Sequence, residues 1–223
     1  PILVFNLRPC RKILFVMKNL LFSNIILTMI NQIFFISSAY LIGSLSFGVI
    51  VSKFFNLSDP RTIGSKNPGA TNVLRTGNKI AAALTLLGDI LKATIVVKIT
   101  ILIGLDDLET MQACLAVLIG HTYPIYYKFK GGKGVATALG ILLVTNWILA
   151  LSAICIWLII FSIWRYSSLA AIIASLSLII ISYFLNETFY IFLTNILITA
   201  LIIFNHRKNI KNLIKGIEPS FKN

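Results

Sequence analysis

The sequence predicts an all-α, polytopic integral membrane protein: a bundle of about seven membrane segments, one of them short or re-entrant. Three observations carry this. Hydrophobic residues make up 57% of the 223 and charged residues 12%, against about a quarter charged in a soluble domain, and mean hydropathy is +0.90. Apolar runs approaching the ~20 residues needed to cross a bilayer recur along the chain. The formal charge of +13 is also unevenly spread, with Lys and Arg in some of the polar stretches between runs and acids in others, as the positive-inside rule produces.

Residues 1–30 read as an N-terminal extension, and residues 31–220 as one membrane domain. Arg8, Arg11, Lys12 and Lys18 precede a charge-free stretch, and Met17 and Met29 each stand at a workable start. The extension is either an extra helix entering from the cytoplasm or a segment upstream of the native start.

Beyond it, apolar runs lie at 33–55, 80–103, 110–127, 135–164, 166–185 and 188–205. The run at 135–164 would make about 45 Å of helix, too long for one untilted span. Charge decides how to divide it. Residues 53–79 hold five basic residues and one acid and should be cytoplasmic. Asp106, Asp107 and Glu109 should then face outward, and residues 128–133 inward. One span at 135–164 would put the basic tail His206-Arg207-Lys208, Lys211 and Lys215 outside, against the rule. Breaking the run at Thr145-Asn146 into helices at about 135–144 and 147–164 returns the tail to the cytoplasm and gives seven segments.

Several classes drop out on composition. Nucleic acid is not an expected partner, because no soluble domain presents a basic face. Cys10, Cys114 and Cys155 are far apart, with no C-x-x-C spacing, and read as buried inert thiols. With two histidines and no local His/Cys/carboxylate cluster, neither a metal nor another cofactor is expected.

The chemistry concentrates in three stretches placed on the cytoplasmic side. Gly64-Ser65-Lys66-Asn67-Pro68-Gly69-Ala70-Thr71-Asn72, followed by Arg75, combines small residues, neutral donors and two cations, the makings of an anion-binding nest. Phe129-Lys130-Gly131-Gly132-Lys133-Gly134 immediately precedes an apolar helix, where free N–H groups and the helix dipole favour phosphate. It is not a Walker A loop, since Gly134 follows Lys133. The third, His206-Arg207-Lys208-Asn209-Ile210 with Glu218 beyond, offers a histidine able to assist proton transfer. Each stretch also has a plain reading as a loop, a positive-inside turn or a solvated tail. Asp89 and Lys92, three apart on one helix, should pair with each other, and His121 should support the glycine-rich loop from behind.

Taken in order, these stretches resemble the bacterial acyl-phosphate-dependent glycerol-3-phosphate acyltransferases of the PlsY type. The matching residues are Gly43-Ser44 with Phe47-Gly48, Gly64 to Asn72 with Arg75, Leu87 with Asp89 and Leu91-Lys92, Gly120-His121 with Pro124, Phe129 through Gly140, and His206-Arg207 with Asn209-Ile210, Gly216 and Glu218. They span about residues 33–220. Ser46 stands where the family often has Pro, and Ala93 where Gly is usual.

The resemblance implies transfer of an acyl chain from acyl phosphate to the 1-hydroxyl of glycerol 3-phosphate, giving 1-acyl-glycerol 3-phosphate and phosphate, for phospholipid biosynthesis in the bacterial inner membrane. It implies catalytic roles for Ser65, Arg75, His206 and Asn209, and substrate binding by Lys66, Asn67, Asn72, Gly131, Gly132, Lys133 and Gly134. Glu218, Asp89 and Lys92 are expected to be structural. Glycerol 3-phosphate, acyl phosphate and membrane lipid are the expected partners; oligomeric state is not readable. The general base is either His206 or a substrate phosphate oxygen. A transporter of an organophosphate anion is the rival reading, disfavoured because no internal repeat is visible.

Overall fold

The longest helix shows why this chain belongs in lipid. In the computed structural model, which describes Ile26 and residues 29–221, the helix Lys79–Leu102 is apolar outside and polar inside. Ile80, Leu84, Leu87, Leu91, Ile95, Ile99 and Leu102 form an exposed stripe at spacings of three and four. Ala81, Thr85, Gly88, Asp89, Lys92, Ala93, Val97 and Thr100 are buried on the opposite side. A helix in water buries its apolar stripe; this one turns it outward.

In chain order the helices are α1 (Met29–Gly43), α2 (Phe47–Phe54), α3 (Ala70–Leu74), α4 (Lys79–Leu102), α5 (Asp107–Thr122), α6 (Val135–Thr145), α7 (Trp147–Trp164), α8 (Ser167–Phe184), α9 (Phe189–Asn205) and α10 (Arg207–Ile214), with a 3₁₀ turn at Ile125–Tyr127. Every regular element among the described residues is helical. A helix stands in each of the seven stretches read as membrane segments, counting α1 and α2 as one bent by 41° at residues 44–46. By length and composition α4, α7 and α8 can each cross a bilayer, α1–α2 and α9–α10 qualify as bent pairs, and α9 by itself, at 17 residues, stands at the lower limit of a span. Most of the 1–30 extension lies outside the described residues, though Met29 and Ile30 open α1.

The division of the long run is where charge placed it. Asn146 ends α6 and caps α7, its Oδ1 accepting from the N–H groups of Ile148 and Leu149 at 2.8 and 3.2 Å. Its Nδ2 donates to Glu187 between α8 and α9. The acids at the α4–α5 connection also do local work: Asp106 and Glu109 form a reciprocal capping box at the start of α5.

Small and hydroxylic residues let the helices pack closely, as membrane bundles require. Ala170, Ala171, Ala174 and Ser175 are buried on α8. Thr199 of α9 donates to the Ser175 carbonyl at 2.8 Å and Asn195 to Ser182 at 3.0 Å. The apolar core joins α4, α5, α6 and α9 through Val97, Val117, Leu118, Ile141 and Ile198. Cys114 lies in this core, but Cys155 is exposed on α7, so only one of those two thiols is buried as expected; Cys10 falls outside the described residues.

Candidate active site

The three polar stretches converge at one end of the bundle, where α4, α6 and α8 begin and α5, α7 and α9 end. Glu218, in the segment after α10, organises the centre. Its Oε1 accepts from Ser168 at the start of α8 at 2.6 Å and from the Asn209 amide at 2.7 Å. Asn209 then turns its carbonyl oxygen to the Lys133 ammonium at 2.6 Å. The order of charges fixes this orientation, because a carboxylate can only accept and an ammonium can only donate. Glu218 Oε2 is buried and makes no hydrogen bond among the described residues.

His206 is buried just beyond the end of α9, with Nδ1 2.8 Å from the Ile202 carbonyl. A carbonyl accepts only, so Nδ1 carries the hydrogen and Nε2 keeps its lone pair. Burial, reinforced by the nearby Lys133 charge, pushes the imidazole down to about 4, leaving it neutral at pH 7. Burial also pushes the Lys133 ammonium down to about 8, Glu218 opposing and Arg75 adding to the effect.

Arg75, just past α3, is exposed, with its guanidinium 5.5 Å from the centre of the Phe221 ring. The segment carrying Glu218 and Phe221 crosses back over this end of the bundle. Phe221 donates its N–H to the Arg165 carbonyl at 3.0 Å, and its ring meets Phe161 edge-on at 5.6 Å. Thr71 and Ser167 hydroxyls, 3.3 Å apart, tie the first polar stretch to α8.

Within that stretch the residues divide. Asn72 is 1% exposed; its Oδ1 accepts from Ser65 N–H at 2.9 Å and its Nδ2 donates to the carbonyls of Pro60 and Ile63 at 2.7 and 3.1 Å. Its amide shapes the loop, a structural part for a residue expected to hold substrate. The Ser65 and Lys66 side chains are exposed and make no hydrogen bond among the described residues, and the half-buried Asn67 side chain makes none either.

The glycine-rich loop is also packed against the fold. Gly132 donates its N–H to the His121 carbonyl at 3.1 Å, so that group is already engaged. A Cβ on Gly132 would enter the His121 imidazole, and one on Gly131 would meet the His121 carbonyl and Pro124. These glycines are small because the loop lies against the end of α5. Gly134, at φ +92°, turns the chain into α6, whose first N–H groups have no partner within the helix.

Beneath the loop, the Lys92 ammonium donates to the Leu45 carbonyl at 2.7 Å and to His121 Nδ1 at 2.9 Å, and pairs with Asp89 Oδ1 at 2.9 Å. The expected Asp89–Lys92 pair is present, and it also joins the α1–α2 bend to the end of α5. Beside the loop, Asp59, Arg61, Thr62, Tyr126, Tyr127, Lys128 and Lys130 line a cleft of about 430 Å³. Among the described residues no group of His, Cys, Asp and Glu could hold a metal ion.

Sequence reading missed Ser168 and Phe221. The only trace of Ser168 was the polar pair Ser167-Ser168 following Arg165 at the head of an apolar run.

The family model described as glycerol-3-phosphate acyltransferase matches residues 33–216. The glycerol-3-phosphate acyltransferase of Paraburkholderia phymatum is 50% identical over 184 residues, covering 81% of this chain and 88% of that protein. That of Methylobacillus flagellatus is 46% identical over 191 residues, covering 86% and 97%. A crystal structure of PlsY (YgiH), an integral membrane glycerol 3-phosphate acyltransferase, in its glycerol 3-phosphate form superposes with a TM-score of 0.82 at 38% identity, covering 86% of this chain and 96% of that one. The lysophosphatidic acid form superposes at 0.81 and 37% identity, with the same coverage. This chain is therefore an integral membrane acyltransferase belonging to the glycerol-3-phosphate acyltransferase family.

Proposed function

We propose that the protein transfers an acyl chain from acyl phosphate to the 1-hydroxyl of glycerol 3-phosphate, as a step of phospholipid biosynthesis. The similar proteins named above carry the acceptor in their names, and one crystal form holds it. The observation that carries the reading is the Lys133–Asn209–Glu218–Ser168 chain with neutral His206 and Arg75 beside it. Acyl phosphate is a mixed anhydride, so the protein needs no nucleophile of its own. It must bring two phosphates together and hold them, which is work for positioning and fixed charge.

In the reaction the C1 oxygen of glycerol 3-phosphate attacks the acyl carbon, and the bond from that carbon to the phosphate oxygen breaks. The hydroxyl proton leaves either to His206 Nε2 or to a phosphate oxygen. Lys133 and the first N–H groups of α6 take the phosphate of glycerol 3-phosphate, with Ser65, Lys66 and Asn67 closing over the reactants. Arg75 holds the departing phosphate of the acyl donor, and Asn209 fixes Lys133. Asn72, Asp89, Lys92 and Glu218 hold the site together. The basic stretches at this end of the bundle support its assignment to the cytoplasmic face of the inner membrane.

A transporter of an organophosphate anion would place its site near the midplane between broken helices, whereas these polar groups gather at one end of the bundle. The deciding assay offers the purified protein acyl phosphate, acyl-CoA and an acyl-carrier-protein thioester in turn. The expected result is phosphate release from acyl phosphate alone, only with glycerol 3-phosphate present, and matched mole for mole by lysophosphatidate. Comparable turnover with a thioester would replace the donor.

A further inference from the structure

The circumference of α10 divides three ways. At about 100° per residue, Arg207, Lys208, Lys211 and Lys215 share one arc, Asn209 and Asn212 a second, and Ile210, Leu213 and Ile214 a third. The four basic residues are exposed, and no acid lies between Arg207 and Gly216. Ile214 is 81% exposed and Ile217, just after the helix, 64%. The amide arc faces the site, where Asn209 holds Lys133 and Glu218. The axis turns 58° from α9.

We infer that α10 lies on the membrane surface and binds anionic phospholipid headgroups, so that bilayer charge holds Asn209 in place. A helix bent off a spanning helix, with an apolar arc beside a basic one, has the pattern of a segment lying in the interface. Its isoleucines enter the boundary of the acyl region and its lysines stay among the headgroups. Four cations without an acid select anionic over zwitterionic lipid. The same cations could steer soluble anions, but only a bilayer covers Ile214 and Ile217. The coupling follows from length: eight residues are too few for a helix to be stable alone, so the order of α10, and with it the aim of Asn209, depends on what it packs against.

This inference rests on the activity proposed above, and the experiment separates the two. The full chain is reconstituted in vesicles of phosphatidylcholine, and in vesicles with a rising fraction of phosphatidylglycerol, and lysophosphatidate formation from acyl phosphate and glycerol 3-phosphate is measured. Turnover in pure phosphatidylcholine tests the activity by itself. Phosphatidylglycerol should raise turnover several-fold, with high salt removing the gain. K208Q/K211Q/K215Q should match the parent in phosphatidylcholine and show no response to phosphatidylglycerol, while K208R/K211R/K215R should keep the response. A parent insensitive to phosphatidylglycerol, or a Gln variant that still responds, overturns the inference. So does a Gln variant whose KM for glycerol 3-phosphate rises in phosphatidylcholine, since the lysines would then steer substrate.

Discussion

The Lys133 ammonium donates to Asn209 Oδ1 at 2.6 Å across 76 residues of sequence, and the other end of the same amide donates to Glu218. Asn209 is thus an oriented spacer between a cation and an anion. Asn209→Asp would set one carboxylate against another and should lower kcat/KM by about tenfold or more, on the order of 1.4 kcal/mol. Adding Glu218→Gln restores a donor opposite the new carboxylate while keeping an acceptor for Ser168, and should recover part of the loss. Steady-state kinetics of the two single variants and the pair measure the coupling, expected at about 1 kcal/mol or more. Additive losses would dissolve the chain of contacts as a functional unit.

Lys133 is expected to set the alkaline limit of the activity. With its ammonium pushed down to about 8 by burial, raising the pH through that value removes the charge that draws in a phosphate. The free-enzyme parameter kcat/KM for glycerol 3-phosphate should therefore be about tenfold lower at pH 9 than at pH 7. Lys133→Arg keeps its charge throughout and should lose this limb, even if its maximal rate is lower. His206, pushed down to about 4, should add no acid limb above pH 5.

Gly132→Ala is expected to act through packing. The new methyl group would enter the His121 ring, so the loop must lift from α5, lowering thermal stability together with kcat. Gly134→Ala meets a different obstacle, a φ of +92° that costs a side chain on the order of 1–3 kcal/mol. Melting curves beside kinetics separate these effects from a change in substrate affinity alone, which would show as a raised KM with the melting temperature unchanged.

His121 receives Lys92 at Nδ1, and an Asn side chain can offer an oxygen near that position. His121→Asn should stay closer to the parent in melting temperature than His121→Leu. The Leu variant strands a buried ammonium proton, at a cost of about 1–3 kcal/mol. Equal destabilisation in both would mean that the ring's bulk matters more than its acceptor.

What could be read in advance and what could not divide along physical lines. The break at Asn146 was legible because bilayer thickness and charge asymmetry are one-dimensional constraints, readable along a chain. The convergence of Lys133, His206 and Asn209 was legible through resemblance to a family. The Ser168–Glu218 contact spans 50 residues and leaves no trace in spacing or periodicity. Gly132 and Asn72 carry structural contacts that the sequence does not announce, for a shared reason. Gly and Asn suit a ligand-binding loop, and they equally suit a loop that must lie against a helix end or bond to its own backbone. Only the position of His121, and of the Pro60 and Ile63 carbonyls, tells the two apart.

Glu218 and Asn209 follow α9 in the chain, so on the ribosome they are made after Lys133 and the helices around it. A copy halted after α9 would carry α4 through α9 yet lack Asn209, which holds Lys133, and Glu218, which holds Asn209. The chain of contacts around Lys133 is therefore completed only once the segment from Glu218 to Phe221 has come back over this end of the bundle.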